Sequence, residues 1–285
     1  IVRRVLFSAY SRSKQGVSAD SIYRSGAKAG DWPPKSPRPQ SVIAFPAFQS
    51  TTGSPSVWVI VGSSGSIILD GKPFKAITKG AGGGFLNAEA IQALSINPKI
   101  TTIKVEGLTD MLALSSIIPA EERLLYCVTS NACGSTETPK QDTCAMLGGR
   151  EVWVIHDCDK PGQAGAKRWT KALQAVGCRA KNIQLPYRIT ENHGKDLRDW
   201  LADGHDWNEL KALAGATPAE DCVASGEENN RCDNVFAQME LESIRDSIAP
   251  INIEVVGELP DGKVEVYCPN LSKVARINIG KSFDF

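Results

Sequence analysis

The sequence predicts an α/β protein: a mostly parallel sheet with helices on both faces, preceded by a small basic α+β subdomain rich in strands. Three observations carry this expectation. From Thr101 onward short apolar runs alternate with helical patterns, the grammar of a βαβ series with right-handed crossovers. Before about residue 80 the runs are strand-like and separated by Ser, Gly and Thr clusters, as in an antiparallel meander. Charge divides along the same line. Residues 1–105 hold 13 Lys and Arg against 4 Asp and Glu, and the remainder holds 19 against 28, so a net charge of zero conceals +9 followed by −9. The first third is suited to a polyanion, and the rest carries acidic clusters.

With 285 residues, 42% hydrophobic and 22% charged, the chain can bury one large core or two moderate ones, which excludes disordered and fibrous classes. The longest apolar runs, Val57 to Val61 and Leu124 to Val128, are five residues each, far short of the ~20 that span a bilayer. No membrane partner is expected. Eight cysteines include no C-x-x-C pair, which points to reduced thiols, a cytoplasmic location and no zinc ribbon within these residues. The chain opens on Ile1 without a signal-like segment, and a fragment of a longer polypeptide is the expectation.

In chain order, residues 1–40 are expected to be an N-terminal helical segment and a connector. Ser18 is a plausible N-cap and Gly26 a stop for a short helix, and Pro33, Pro34, Pro37 and Pro39 make the next stretch extended. Residues 41–98 form the basic strand-rich subdomain, with strands at Val42 to Phe48, Val57 to Val61 and Ile67 to Leu69. Residues 99–215 form the α/β domain. Its strands are expected at Thr101 to Val105, Leu124 to Val128, Glu151 to His156 and Lys181 to Leu185. Its helices should run through Ser116, near Glu137 to Leu147, from Gly162 to Val176 and from Asp196 to Ala214, the last divided at Gly204. Ala166, Trp169, Leu173 and Val176 lie on one helical stripe, so Trp169 reads as core. Residues 216–250 read as linker or helix. Residues 251–285 carry a hairpin signal around Pro260-Asp261-Gly262 and are expected to begin a further β-containing module.

Three acidic motifs follow predicted strands: Glu106-Gly107-Leu108-Thr109-Asp110, His156-Asp157-Cys158-Asp159 and Gly194-Lys195-Asp196-Leu197-Arg198-Asp199. In open α/β sheets, residues just past the strands' carboxyl ends converge on the ligand site. Two carboxylates about 5 Å apart repel by roughly 3 kcal/mol at an effective dielectric near 20, so a converging cluster calls for a cation. Oxygen-only ligation favours Mg²⁺ or Mn²⁺.

In order and spacing these motifs resemble the three acidic motifs of the Toprim domain. The stretch from Asp157 to Gly165 is similar to the D-x-D-x-x-G-x-x-A segment of bacterial-type primases, and Gly194 to Leu201 to the third-acid motif of phage and plasmid primase-helicases. The resemblance covers roughly residues 100–204. It implies a Toprim-like, Rossmann-related sheet and template-directed nucleotidyl transfer, making RNA primers on single-stranded DNA from ribonucleoside triphosphates. It further implies metal at Asp157, Asp159 and one of Asp196 or Asp199, Glu106 as the proton-transferring or metal-positioning acid, and Asp110 behind it. Lys72, Lys75, Lys79 and Lys160 would face template or nucleotide phosphates. A replicative helicase, separate or fused, is the further partner it suggests. The chain departs from that family in lacking a zinc-binding segment at its start and in spacing its last acids D-x-x-D.

Two alternatives use the same residues: a Toprim-type metal-dependent nuclease, and a non-catalytic nucleic-acid-binding module of a mobile element. The D-x-D is followed by Lys160-Pro161-Gly162 and no G-x-G-x-x-G follows the first strand of the α/β series, which argues against phosphoaspartyl and dinucleotide-binding chemistries.

Overall fold

A computed structural model describes residues 2–32, 39–69, 71–80, 83–132 and 137–218. For residues 2 and 3 and for three further strands, at 254–258, 263–268 and 273–278, it describes the backbone alone. These residues fall into two units, one within 1–222 and one within 223–285.

The first unit opens with α1 (Val2–Ser13) and α2 (Ala19–Arg24). Ser18 caps α2 by accepting a hydrogen bond from the Ser21 amide at 3.0 Å, as its sequence position foretells, and Gly26 closes the turn at φ +80°. Next come β1 (Lys28–Trp32), β2 (Gln40–Phe48), β3 (Val57–Gly62), β4 (Ile67–Leu69), β5 (Lys72–Phe74), β6 (Ile77–Gly80) and β7 (Phe85–Leu86). The sheet order is β1-β2-β3-β6, with β7 also pairing β2, and the pairs are antiparallel. β4 and β5 form a separate hairpin. The proline-rich stretch thus joins two strands paired in one sheet, Lys28 opposite Ala44 through Trp32 opposite Gln40.

The α/β region follows: α3 (Ala88–Ile96), β8 (Thr101–Val105), α4 (Leu108–Ile117), β9 (Tyr126–Ser130), α5 (Gln141–Ala145), β10 (Glu151–Ile155), α6 (Lys160–Gln174), β11 (Arg179–Asn182), α7 (Leu197–Ala202) and α8 (Trp207–Ala216). Its four strands are parallel in the order β11-β10-β8-β9. Alternation along each strand divides the core between the two faces. Ile103, Val105, Trp153 and Ile155 pack toward α4, α7 and α8, whereas Val152 and Val154 pack toward α3, α5 and α6. Trp169 is fully buried on the second side, as its stripe predicts.

Three expected boundaries shift. The second strand begins at Tyr126 because Leu124 and Leu125 are exposed in the turn that feeds it. The last begins at Arg179, paired to Glu151, two residues before its apolar run suggests. The helix expected near 137–147 is only the short α5. Gly204 does divide the last helical region, at φ +99°.

The two parts of the first unit share one core, in which Phe7, Tyr10, Ile22 and Phe45 join Met111, Leu112 and Val128. Polar ties reinforce it. The Ser18 amide donates to Ser116 Oγ at 2.9 Å, Arg24 Nη2 to the Ser115 carbonyl at 2.7 Å, and Thr129 Oγ1 to the Leu86 carbonyl at 2.7 Å. The second unit is an antiparallel meander, β12 (Glu254–Glu258), β13 (Lys263–Cys268) and β14 (Lys273–Asn278), which contains the hairpin the sequence signals. Among the described residues no helix is long and apolar enough to cross a membrane.

Candidate active site

In the parallel sheet the connection from β8 runs to its neighbour on one side and the connection from β10 to its neighbour on the other. The switch point therefore lies between β8 and β10, which pair directly, and ligands gather at such a crevice. Glu106 leaves β8 there and Asp157 leaves β10. The Asp157 amide donates to Glu106 Oε2 at 3.1 Å. Gly162 permits this closeness. A Cβ on it would fall 2.5 Å from the Asp157 carbonyl oxygen and 3.0 Å from Glu106 Oε2.

A cleft of about 930 Å³ opens over this crevice. Glu106, Asp110, Asp157, Asp196 and Arg198 line it on the α/β side, and Tyr10, Lys14, Val59, Lys75 and Thr78 on the side of α1 and the antiparallel sheet. Acids of three motifs thus meet one another opposite two lysines.

The acids hold unequal positions. Asp110, in the first turn of α4, is 5% exposed. Burial, and then the Asp196 charge, raise its pKa to about 7 against the pull of Arg198. Burial and the neighbouring Glu106, Asp110, Asp196 and Asp159 charges push Asp157 up to about 8. Asp196 caps α7, accepting from the Asp199 amide at 2.9 Å, while Asp199 accepts from the Asp196 amide at 2.9 Å. This reciprocal capping box makes Asp199 a helix-terminating acid, absent from the cleft lining.

Asp159 also caps a helix, which its D-x-D spacing does not suggest. Alternation on an extended segment would aim it with Asp157, but the chain bends into α6 and makes Asp159 the N-cap. Its Oδ1 accepts from the Gly162 amide at 2.8 Å and its Oδ2 from the Gly194 amide at 3.2 Å. The second bond draws the third motif onto the second, where the Cys158 amide donates to the Lys195 carbonyl at 2.9 Å. Gly194 allows the approach, since a Cβ there would lie 2.1 Å from the Cys158 carbonyl oxygen. Asp159→Ala should accordingly cost about 1–3 kcal/mol, the loss of a cap and of one charge-assisted tie. Chemical denaturation of both proteins checks this, and an unchanged midpoint would contradict it.

The four lysines singled out in the sequence separate. Lys75 lines the cleft. Lys79 alternates with the cleft-lining Thr78, so it lies on the opposite face of its sheet, 5.3 Å from the centre of the Trp32 ring. Lys72 is exposed on the β4–β5 hairpin, and Lys160 pairs with Glu191 at 2.6 Å on the surface. The cleft's second lysine, Lys14, directly follows α1, and no local motif marks it.

Beneath Glu106 lies a buried basic pair. Lys104 Nζ is 2.7 Å from His156 Nε2 and 4.4 Å from the centre of the Trp169 ring. His156 Nδ1 is 3.2 Å from the Gly162 carbonyl oxygen and 3.4 Å from Glu106 Oε2. Burial lowers Lys104 to about 7, opposed by Glu106 and Glu137. Burial, and then Lys104, hold His156 well below its ordinary value. With Lys104 donating to Nε2, the neutral imidazole carries its proton on Nδ1, directed at Gly162 and Glu106. The only sequence signal for this pair is a lone lysine in an otherwise uncharged strand.

Among the described residues no three His, Cys, Asp or Glu side chains converge closely enough to hold a metal ion as they stand. The donor chemistry nonetheless suits a hard divalent cation. Glu106, Asp157 and Asp196 offer only oxygen, and after burial it is the charges of neighbouring carboxylates that raise Asp110 and Asp157.

Residues 103–210 match the family model described as Toprim-like, a span that starts within β8 and takes in the other three parallel strands and all three acidic motifs. No curated protein matches the sequence. Among solved structures, the Aquifex aeolicus primase, comprising zinc-binding and RNA polymerase domains, aligns over 74% of this chain at 16% identity and TM-score 0.54. The chain spans 55% of that protein's length. The primase fragment of the bacteriophage T7 primase-helicase aligns over 72% of this chain and 73% of its own, at 18% identity and TM-score 0.48. The first likeness establishes a shared fold.

Proposed function

Because residues 103–210 form a Toprim-like domain within a chain that has the fold of a bacterial primase, we propose that this protein is a primase-type nucleotidyltransferase that makes short RNA primers on single-stranded DNA. The observation that carries the proposal is the cleft, where Glu106, Asp157 and Asp196 face Lys14 and Lys75. Acids able to hold Mg²⁺ or Mn²⁺ and cations able to hold phosphates thus share one space.

Bound at Asp157 and Asp196, a divalent ion would supply charge neutralisation for the triphosphate and polarise the attacked phosphorus. The protein's own residues position and move protons. Glu106, fixed by the Asp157 amide and flanked by neutral His156, is placed to take the proton of the attacking 3′-hydroxyl. The buried Asp110 supports it. Lys14 and Lys75 orient phosphates across the cleft. In-line phosphoryl transfer asks for little more than such positioning and electrostatics.

Labelled ribonucleotides with Mg²⁺ or Mn²⁺ and single-stranded DNA should yield short oligomers. Shortening of a labelled template would favour the nuclease, and neither outcome a binding module. Charge reversal separates the cleft from the far face of the antiparallel sheet. Lys75→Glu should weaken single-stranded DNA binding and lower the salt slope by about 0.7 for each phosphate the protein ceases to neutralise, while Lys79→Glu should not. Equal effects in a salt titration would mean that the template runs elsewhere.

A further inference from the structure

Arg198 stands in the first turn of α7, two residues past Asp196. Its side chain, 29% exposed, lines the cleft among the acids. Nε donates to Asp110 Oδ1 at 3.1 Å, and Nη2 donates to Asp196 Oδ2. The two carboxylates come from different elements, one from α4 and one from the start of α7, so a single guanidinium joins the first acidic motif to the third. Asp196 is left with little to offer, since its Oδ1 holds the Asp199 amide and its Oδ2 holds Arg198.

We infer that Arg198 is the resident counter-ion of the acidic cluster, and that a divalent cation must displace it from Asp196 in order to bind. The inference rests on the reading of the cleft as a metal-dependent site. Without a metal, carboxylates crowded at a partly desolvated switch point repel one another, and a planar, permanently charged fork is the side chain best suited to span two of them. A divalent ion competes for the same Asp196 oxygen and is repelled by the guanidinium while it remains. Arg198 therefore stabilises the metal-free state and weakens metal binding by the same contact. Asp110, which keeps its side of the bridge, holds the displaced arginine within the cleft.

The test is Mn²⁺ binding without nucleotide, read from the free-ion electron paramagnetic resonance signal, so that activity is not the readout. Arg198→Gln should bind Mn²⁺ about tenfold more tightly than the wild type, a gain of about 1.4 kcal/mol. Arg198→Lys, which keeps the charge but loses the fork, should fall between them. Removing the arginine orphans buried Asp110, so the comparison is repeated between Asp110→Asn and the Asp110→Asn/Arg198→Gln double variant, where the same tightening is expected. Equal affinities within both pairs, or weaker binding without the arginine, would overturn the counter-ion role while leaving the metal site standing. Absence of Mn²⁺ binding in every form would overturn both the metal reading and this inference.

Discussion

Glu106→Gln should lower the rate of primer synthesis by about 10²–10⁴-fold, the usual contribution of a positioned general acid or base, with the fold intact. The glutamine carbonyl can keep the hydrogen bond that Glu106 Oε2 accepts from the Asp157 amide, and the volume scarcely changes, so the crevice between β8 and β10 survives. What disappears is the ability to accept a proton. The amide also removes one charge from a cluster in which Glu106 is the foremost charged neighbour raising Asp157. Asp157 should then ionise more readily, so a loss of rate with Mn²⁺ affinity retained would locate the defect in proton transfer. Full synthesis by this variant, measured with the same labelled ribonucleotides, would make Glu106 a structural residue and refute the mechanism.

Lys104→Met should change the pH dependence of stability. Lys104 is fully buried, and its pKa is depressed from 10.5 to about 7. Between those values the unfolded chain holds a proton that the folded chain does not, so stability due to this group rises with pH. The burial cost is complete below about pH 7 and fades as pH approaches 10.5. Methionine fills similar space and carries no such cost. The stability of the variant relative to the wild type should therefore fall from pH 7 to pH 10, by up to about 1.4 kcal/mol per pH unit. Guanidinium unfolding of both proteins at pH 7 and pH 9.5 measures the difference, in which titrations common to the two cancel. A difference independent of pH would mean that Lys104 stays protonated in the fold and that its 2.7 Å contact with His156 is an ordinary charged hydrogen bond.

The parallel sheet was legible because its signals are local. Apolar runs at Thr101–Val105 and Glu151–Ile155 alternate with a helical stripe through Trp169, and strands of a βαβ series send the residues after them to one end. Glu106 and Asp157 are brought together at that end by topology alone. The shifted start of β9 shows the limit: Leu124 and Leu125 look like strand residues, but the edge of the sheet leaves them exposed. The lysines show another, because the sign of a charge is written in the sequence while the surface it reaches is set by where each strand begins. Lys75 and Lys79 are four residues apart, a spacing that would share one face of a strand, yet Lys75 sits in the bend before β6 and lines the cleft, and Lys79 lies on the other face of the sheet.

By itself the sequence determined the order of strands and helices from Thr101 onward, the placing of acids after strands of that series, and the split between a basic first third and an acidic remainder. Only the tertiary structure decided what each acid touches. Asp159 and Asp199 accept bonds from backbone amides at the starts of α6 and α7, which need partners. Asp110 is buried against Arg198 across 88 residues of chain, and Lys104 meets His156 across 52. Periodicity reports which way a side chain points from its own backbone. The field around a carboxylate is a sum over neighbours from distant segments, and those become neighbours only when the sheet has closed.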